Sequence, residues 1–170
     1  MDMTTKNMIN SLAEDIIRRF NIEVPIYDMD SVVRILGGSI LTDRRILESK
    51  VVKNGNSFII WVSPYWDENR TKFAVAHELG NLFLHMGYMI NDELWNSDNV
   101  TNSIEKVFQA NEFAGAMLMP REAFTRQMEK CSDGKKVNLV MLAEFFHVSV
   151  ADVSFRGRSL GYFGTGIFNV

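Results

Sequence analysis

Apolar positions in the first part of the chain follow helical spacing. In residues 7–20 they recur every three or four positions, which places the apolar side chains on one face of an α-helix. After Pro25 a shorter helix is predicted over residues 32–36, with Asp30 or Ser31 as its N-cap and Gly37-Gly38 at its end. The chain is therefore expected to begin with two helices.

The spacing then changes to one typical of β-strands. Residues 39–42 are a short run of strand-favouring type, and residues 51–53 and 57–62 are two more. The last two runs flank Asn54-Gly55, a pair that favours the positive φ angles of a tight hairpin turn. Because residues 58–62 are all apolar, we expect the strand they form to be buried on both faces.

Helical spacing returns after Pro64. A long helix is predicted over residues 68–86, where Gly87 ends it, and a second over residues 104–119, where Pro120 ends it. Residues 91–102 between them are polar and rich in turn-forming residues. We therefore expect a surface loop there.

The last part of the chain predicts shorter helices over residues 122–129 and 139–146 and a final one that starts near Ser149. Residues 157–166 are rich in glycine and are expected to be irregular. Helices, then a small antiparallel sheet, then helices again predict an α+β fold.

Composition and charge narrow the class of protein. The 170 residues suffice for one domain, and 46% hydrophobic and 23% charged residues are ordinary for a globular one. The net charge of −3 gives no general electrostatic reason to bind nucleic acid. The single cysteine excludes an internal disulfide. No apolar run approaches the roughly 18 residues of a membrane span, and the N-terminus is polar, so we expect a cytoplasmic protein with no membrane partner.

The helix predicted over residues 68–86 carries the candidate chemistry, beginning at His77-Glu78. In the zinc-peptidase motif H-E-x-x-H, two histidines four positions apart lie about 40° apart round the helix and can bind one zinc ion. The glutamate that follows the first histidine can take a proton from zinc-bound water. Zinc needs three protein ligands besides that water.

The second histidine of that motif is missing. Asn81 stands four positions after His77 and offers a neutral amide oxygen, which is a poor zinc ligand beside imidazole or carboxylate. His85 lies about 12 Å further along the helix axis than His77 and cannot replace it on the same ion. On these residues alone, an ordinary structural histidine is the favoured interpretation of His77.

Three segments resemble the ImmA/IrrE family of metallopeptidase-like proteins. The first is residues 71–85, the second is residues 110–120 with Ala-Asn-Glu-Phe-Ala at its start, and the third is residues 142–149. The resemblance covers roughly residues 8–160. It implies a small zincin-like domain of the minimal gluzincin type, with a core over residues 1–120 and a C-terminal helical unit over residues 121–160 of a single domain.

The resemblance assigns roles residue by residue. His77 matches the first zinc ligand, Glu78 matches the general base, and Asn81 stands where the second ligand belongs. The third ligand of the family is usually a glutamate three residues before the Ala-Asn pair, and that position here is Val107. The resemblance therefore implies a degenerate zinc site that keeps one of three ligands.

Two glutamates lie close to the third ligand position. Glu105 and Glu112 stand about 200° and 140° round the helix from Val107, which is the wrong phase for either to replace it. We expect the helix to pack through an apolar row instead. The row consists of Ile104, Val107, Phe108, Phe113 and Met117.

Three functions are compatible with these residues. The favoured one is a zinc-free pseudoprotease that acts as a regulatory or partner-binding module, because relatives often accompany a helix-turn-helix repressor or another regulatory protein. The second is an active zinc metalloendopeptidase that cleaves such a regulator, and it would require Zn²⁺. The third is a DNA-associated regulator that uses the C-terminal helices, in which Arg156 and Arg158 would meet the phosphate backbone.

Aromatic residues just before the motif helix suggest how a partner would bind. Trp61, Tyr65 and Trp66 lie just before this helix, and in zincin-like folds the outer strand over the cleft can take up an extended peptide by β-augmentation. Burial of the same residues in the core is an equal alternative. The expected partner is thus a protein or peptide, and nucleic acid is disfavoured.

Overall fold

A computed structural model describes residues 1–88, 103–134 and 136–164. The described residues form seven helices and three strands. The helices are α1 (Met3–Arg19), α2 (Met29–Ile35), α3 (Glu68–His85), α4 (Ser103–Leu118), α5 (Arg121–Lys130), α6 (Leu139–Phe146) and α7 (Val150–Ser159). The strands are β1 (Gly38–Thr42), β2 (Lys50–Asn54) and β3 (Ser57–Val62). The α+β prediction is confirmed, and the loop predicted over residues 91–102 lies outside the described residues.

The first two helices begin earlier than their apolar spacing predicts, because aspartates upstream cap them. The carboxylate of Asp2 accepts a hydrogen bond from the backbone N–H of Thr5 at 2.8 Å, so α1 starts at Met3. Asp28 accepts from the backbone N–H of Ser31 at 3.0 Å, so it replaces the predicted caps of α2. Both aspartates satisfy backbone donors that a helix start leaves free.

The sheet is mixed, whereas an antiparallel one was expected. β2 and β3 pair antiparallel through the predicted hairpin, but β1 pairs parallel with β3, so the strand order is β1-β3-β2. The central place of β3 explains its apolar run. Its burial alternates, however: Phe58, Ile60 and Val62 are buried, while Ile59 and Trp61 are half-buried.

Helices α3 and α4 pack antiparallel and very closely. A Cβ added to Gly80 of α3 would lie 3.0 Å from Cα of Ala110 and 3.1 Å from Cβ of Phe113 in α4. The ring centroids of Phe83 and Phe113 are 5.9 Å apart. The absence of a side chain at Gly80 therefore lets the two backbones approach, and this approach positions the candidate site.

The apolar row expected to pack α4 does so only in its C-terminal half. Phe113 and Met117 are fully buried, but Ile104, Val107 and Phe108 are 65%, 49% and 54% exposed. The prediction of packing through these three residues was wrong. No apolar surface among the described residues covers these three side chains.

The C-terminal helices are anchored by a buried arginine. Arg156 of α7 is completely buried and forms an ion pair with Glu112 of α4 at 3.2 Å. It also donates to the backbone carbonyl of Met119 at 2.9 Å and to the side-chain oxygen of Asn10 at 2.7 Å. Burial lowers the pKa of Arg156 to about 10, although the Glu112 carboxylate opposes this shift. The guanidinium therefore stays charged at neutral pH.

This burial corrects the prediction that Arg156 meets a phosphate backbone, since no part of its side chain reaches the surface. Arg158 hydrogen-bonds to the Ser154 hydroxyl at 2.9 Å. Helix α7 also runs past Gly157, which was expected to be irregular. A Cβ there would lie 1.9 Å from the Phe163 ring, so glycine allows this ring to cover the helix.

One cluster of buried apolar side chains includes residues from all seven helices, with Phe58 and Ile60 of β3 beside them. Among the described residues, no helix combines the length and the apolar character that crossing a membrane requires.

Candidate functional site

His77 is held by a hydrogen bond across the α3–α4 interface. Its Nδ1 lies 2.8 Å from Oδ1 of Asn111. Because the amide oxygen can only accept, Nδ1 carries the proton and donates it, which leaves Nε2 with a free lone pair. Nε2 has no partner among the described residues. This is the arrangement by which a neighbour orients a metal-binding histidine.

Glu78, the next residue of α3, is only 5% exposed. Oε1 accepts a hydrogen bond from Oγ of Ser49, just before β2, at 2.7 Å. Oε2 accepts from Nδ2 of Asn81 at 3.2 Å. Both donors are neutral, and Glu78 forms no ion pair with any residue that the structure describes.

Asn81 is oriented by that same hydrogen bond. Since its NH₂ group donates to Glu78, its carbonyl oxygen Oδ1 is the atom left for another ligand. It lies one helical turn after His77 on the same side of α3. The second ligand position thus offers one neutral amide oxygen.

Val107 lies across the helix pair from Asn81. His77 contacts Asn111, and further along α3 the Nε2 atom of His85 lies 3.4 Å from the backbone carbonyl of Lys106. In this antiparallel register Val107, one turn before Asn111 on the same face of α4, falls opposite Asn81. The resemblance placed the third ligand at this position, and the residue there is apolar and half-exposed.

These residues do not fit a zinc ion. Zinc in proteins takes three or four ligands from cysteine, histidine and carboxylate groups. Here the three ligand positions supply one imidazole, one amide and one isopropyl group. The described part of the chain also brings together no group of three or more His, Cys, Asp or Glu side chains suited to a metal ion.

Two nearby residues of ligand type, His85 and Glu112, do not complete the site. The Nε2 atom of half-buried His85 faces the carbonyl of Lys106, its Nδ1 has no hydrogen-bond partner among the described residues, and burial lowers its pKa. Glu112 is 2% exposed and accepts hydrogen bonds from Asn10, Arg156 and Ser159. It faces the core between α1, α4 and α7, so it cannot supply the missing ligand at Val107.

A cleft of about 330 Å³ opens beside His77 on the N-terminal side of α3. Trp66 and Phe73 form much of its wall, and the guanidinium of Arg70 lies 4.5 Å from the centroid of the Trp66 ring. Tyr65 is 75% exposed, whereas Trp61 and Trp66 are half-buried. Of the three aromatic residues before the motif helix, Trp66 lines the cleft, and none of the three is fully buried.

Sequence reasoning missed two residues of the site. Ser49 lies 29 positions before Glu78 and belongs to no motif, so only the folded chain brings them together. Asn111 was part of a recognised segment but received no role. Its position four residues after Val107, on the same face of α4, was the available signal.

Comparisons with known proteins concern the family and the fold of the chain. The family model for the IrrE N-terminal-like domain matches residues 38–156. A search of curated proteins finds no significant match.

Among solved structures, a Mycobacterium tuberculosis transcriptional regulator is similar with a TM-score of 0.61 and 17% sequence identity. The similarity covers 88% of this chain and 46% of the regulator, so this chain spans less than half of the regulator's length. At this identity the likeness concerns the fold alone.

Proposed function

Because the chain belongs to the ImmA/IrrE family of metallopeptidase-like proteins, we propose that it binds a protein or peptide partner at the cleft beside His77 without holding zinc. In this proposal the protein is a regulatory pseudoprotease. The partner is retained and is not cleaved.

The chemistry of the three ligand positions carries the proposal. Asn81 turns its NH₂ group to Glu78, and the apolar Val107 lies across from it. A carboxylate at position 107 and a histidine at position 81 would be needed to complete the zinc site. Without a Lewis acid, Glu78 has no activated water from which to take a proton.

An outer strand of the sheet supports the proposal of peptide binding. Strand β2 is an outer strand of the sheet, so one of its edges pairs with no other strand among the described residues. Such an edge can add an extended peptide through backbone hydrogen bonds. The hydrogen bond from Ser49, just before β2, to Glu78 links this strand to the motif helix.

A regulatory protein is the proposed class of partner. The structural neighbour from Mycobacterium tuberculosis is named a transcriptional regulator, and the resemblance implies helix-turn-helix repressors as companions of this family. DNA contact by this chain itself is not favoured, because Arg156 is buried in an ion pair.

Metal analysis tests the zinc-free part of the proposal. The chain is purified without chelator from cells grown with added zinc, and its zinc content is measured by plasma mass spectrometry beside that of the variant His77→Ala. We expect far less than about one zinc per chain in both proteins. About one zinc per chain, lost in the variant, would overturn the proposal.

A second experiment tests cleavage. The chain is incubated with unfolded casein in the presence of added zinc, with an active zinc endopeptidase as the positive control. We expect no cleavage above that of the Glu78→Gln variant. Cleavage by the unaltered chain that the variant lacks would favour the active metalloendopeptidase instead.

A further inference from the structure

The cleft beside His77 has the size and the walls of a pocket for one aromatic side chain. It encloses about 330 Å³, and Trp66, Phe73 and Ala74 form its apolar part. Arg70, Phe73 and His77 stand on successive turns of α3, about 5 Å apart along the helix axis, so they form a row on one face. Pockets of this size lined by aromatic residues commonly bind apolar ring groups.

One wall of the cleft is a pair of flat groups. The guanidinium of Arg70 lies 4.5 Å from the centroid of the Trp66 ring. Among the described residues, Arg70 forms no ion pair that would draw its guanidinium away from this ring. Planar guanidinium groups and aromatic rings stack with other planar groups. The wall therefore favours an aromatic side chain over an aliphatic one.

The charged residues of the cleft favour a neutral ligand group. Two carboxylates line it beside Arg70, and both cap helices. Asp67 accepts a hydrogen bond from the backbone N–H of Arg70 at 2.9 Å. Asp152 accepts from the backbone N–H and the hydroxyl of Ser149 at 3.0 and 2.6 Å. An acidic side chain would meet these carboxylates and a basic one would meet Arg70, whereas a neutral side chain meets no like charge.

Nε2 of His77 is an accessible hydrogen-bond acceptor. Nδ1 donates to Asn111 at 2.8 Å, so Nε2 carries a lone pair and no proton. Among the described residues, the buried polar side-chain atoms without a hydrogen-bond partner are Nδ1 of His85 and Nη2 of Arg156. Nε2 of His77 also lacks a partner but is not one of these buried atoms, so solvent reaches it. This residue of the cleft therefore offers its lone pair to a ligand with an O–H or N–H group.

We propose that the cleft beside His77 takes up a tyrosine side chain of the bound partner. The ring packs against Trp66 and Phe73, and the phenol hydroxyl donates a hydrogen bond to Nε2 of His77. Tyrosine places a neutral O–H donor at the tip of a flat ring, whereas phenylalanine lacks a donor and tryptophan carries its N–H on the side of a larger ring. This inference rests on the proposed function, because a zinc ion bound to His77 would occupy the same lone pair.

The test uses two small probes on the full chain. These are N-acetyl-tyrosine amide and N-acetyl-phenylalanine amide, which differ by one hydroxyl group. Binding is followed by nuclear magnetic resonance of the indole N–H of Trp66, with a chelator present and at about pH 8, where an ordinary imidazole is neutral. We expect the tyrosine probe to bind with a millimolar dissociation constant and the phenylalanine probe to bind at least about threefold more weakly, as the loss of one hydrogen bond predicts.

Variants separate the hydrogen bond from the packing of the ring. His77→Ala should abolish the preference for the tyrosine probe and leave binding of the phenylalanine probe nearly unchanged. Arg70→Ala should weaken both probes by a similar factor of about two to five, because the Trp66 ring loses the guanidinium that holds it. Arg126→Ala removes an exposed arginine of α5 outside the cleft, so this matched control should change neither probe. Arg70 is exposed as well, so its variant keeps the test decisive if His77→Ala fails to fold.

The outcomes distinguish the two proposals. Equal binding of both probes, a preference for tyrosine that persists in His77→Ala, or no shift of the Trp66 signal would overturn the tyrosine inference and leave the zinc-free function standing. Binding of both probes that Arg70→Ala leaves unchanged would contradict the assigned place of the ring. Stronger binding of N-acetyl-tryptophan amide than of the tyrosine probe would overturn the choice of tyrosine. Stoichiometric zinc in the unaltered chain would instead contradict the proposed function itself.

Discussion

Two buried glutamates on neighbouring helices have very different surroundings. Glu112 of α4 is 2% exposed and meets the guanidinium of Arg156 at 3.2 Å, with Asn10 and Ser159 as further donors. Glu78 of α3 is 5% exposed, and its partners among the described residues are the neutral groups of Ser49 and Asn81. The first carboxylate is compensated by a cation, whereas the second has no ion-pair partner in the part of the chain that the structure describes.

The difference shows which part of the family motif still serves the fold. In α4 Asn111 holds His77 of the cleft, and the next residue, Glu112, points about 100° away into the core. The core side is complete, with an ion pair that joins α4 to α7. On the cleft side the orienting hydrogen bond is present, and our proposal is that Asn81 and Val107 stand where metal ligands would be needed.

The largest effect is expected from breaking the compensated pair. Arg156→Met leaves the Glu112 carboxylate buried without a cation and should lower the free energy of unfolding by about 3–5 kcal/mol. Urea denaturation measures this. The double variant with Glu112→Leu should recover part of the loss, and a loss below about 1 kcal/mol for Arg156→Met alone would contradict this view of the ion pair.

The next largest effect concerns the contact between the two helices. In Gly80→Ala the new methyl group would lie 3.0 Å from the α4 backbone at Ala110, and the overpacking should cost about 1–3 kcal/mol. This outweighs the gain of roughly 1 kcal/mol in helix propensity. The His77–Asn111 hydrogen bond should loosen as well, and an increase in stability would argue against the close approach.

A smaller effect is expected from the hydrogen bond that orients the histidine. Asn111→Ala removes the acceptor of the His77 Nδ1 proton and should cost about 1 kcal/mol. The nitrogen chemical shifts of His77 give the clearer readout, because they should change from those of one tautomer to those of a mixture of the two tautomers. Unchanged shifts would mean that another group fixes the imidazole.

The smallest effect on stability is expected at the uncompensated carboxylate. Glu78→Gln keeps an acceptor for Ser49 and removes a buried charge, so the free energy of unfolding should change by less than about 1 kcal/mol or rise. The same urea titration should show a clear loss for Glu112→Gln. Equal losses for both variants would remove the distinction between the two carboxylates.

Local signals in the sequence predicted the helices and the hairpin. The apolar spacing of residues 68–86 and the Asn54-Gly55 turn depend on neighbours in sequence, and the structure has both elements. The parallel pairing of β1 with β3 was missed because these two strands are neighbours in the sheet but are separated by β2 in the sequence. A pairing that is distant in sequence leaves no periodic signal.

The same distinction between local and long-range contacts holds for the candidate site. His77, Glu78 and Asn81 could be named from the motif spacing, and Val107 from the resemblance. The contact of Ser49 with Glu78 and the ion pair of Arg156 with Glu112 span 29 and 44 residues, so only the folded chain shows them. The exposure of Val107 was missed for a related reason, because an apolar residue on a helix predicts packing unless its neighbours are known.

Thermal unfolding with and without zinc tests the central claim most directly. The unaltered chain is compared with the double variant Asn81→His and Val107→Glu, which supplies both missing ligands. Zinc should leave the Tm of the unaltered chain unchanged and raise that of the double variant by several degrees. A zinc concentration about 100-fold above the dissociation constant adds about 2.7 kcal/mol to the free energy of unfolding. A zinc-dependent rise in the unaltered chain that His77→Ala abolishes would contradict the account.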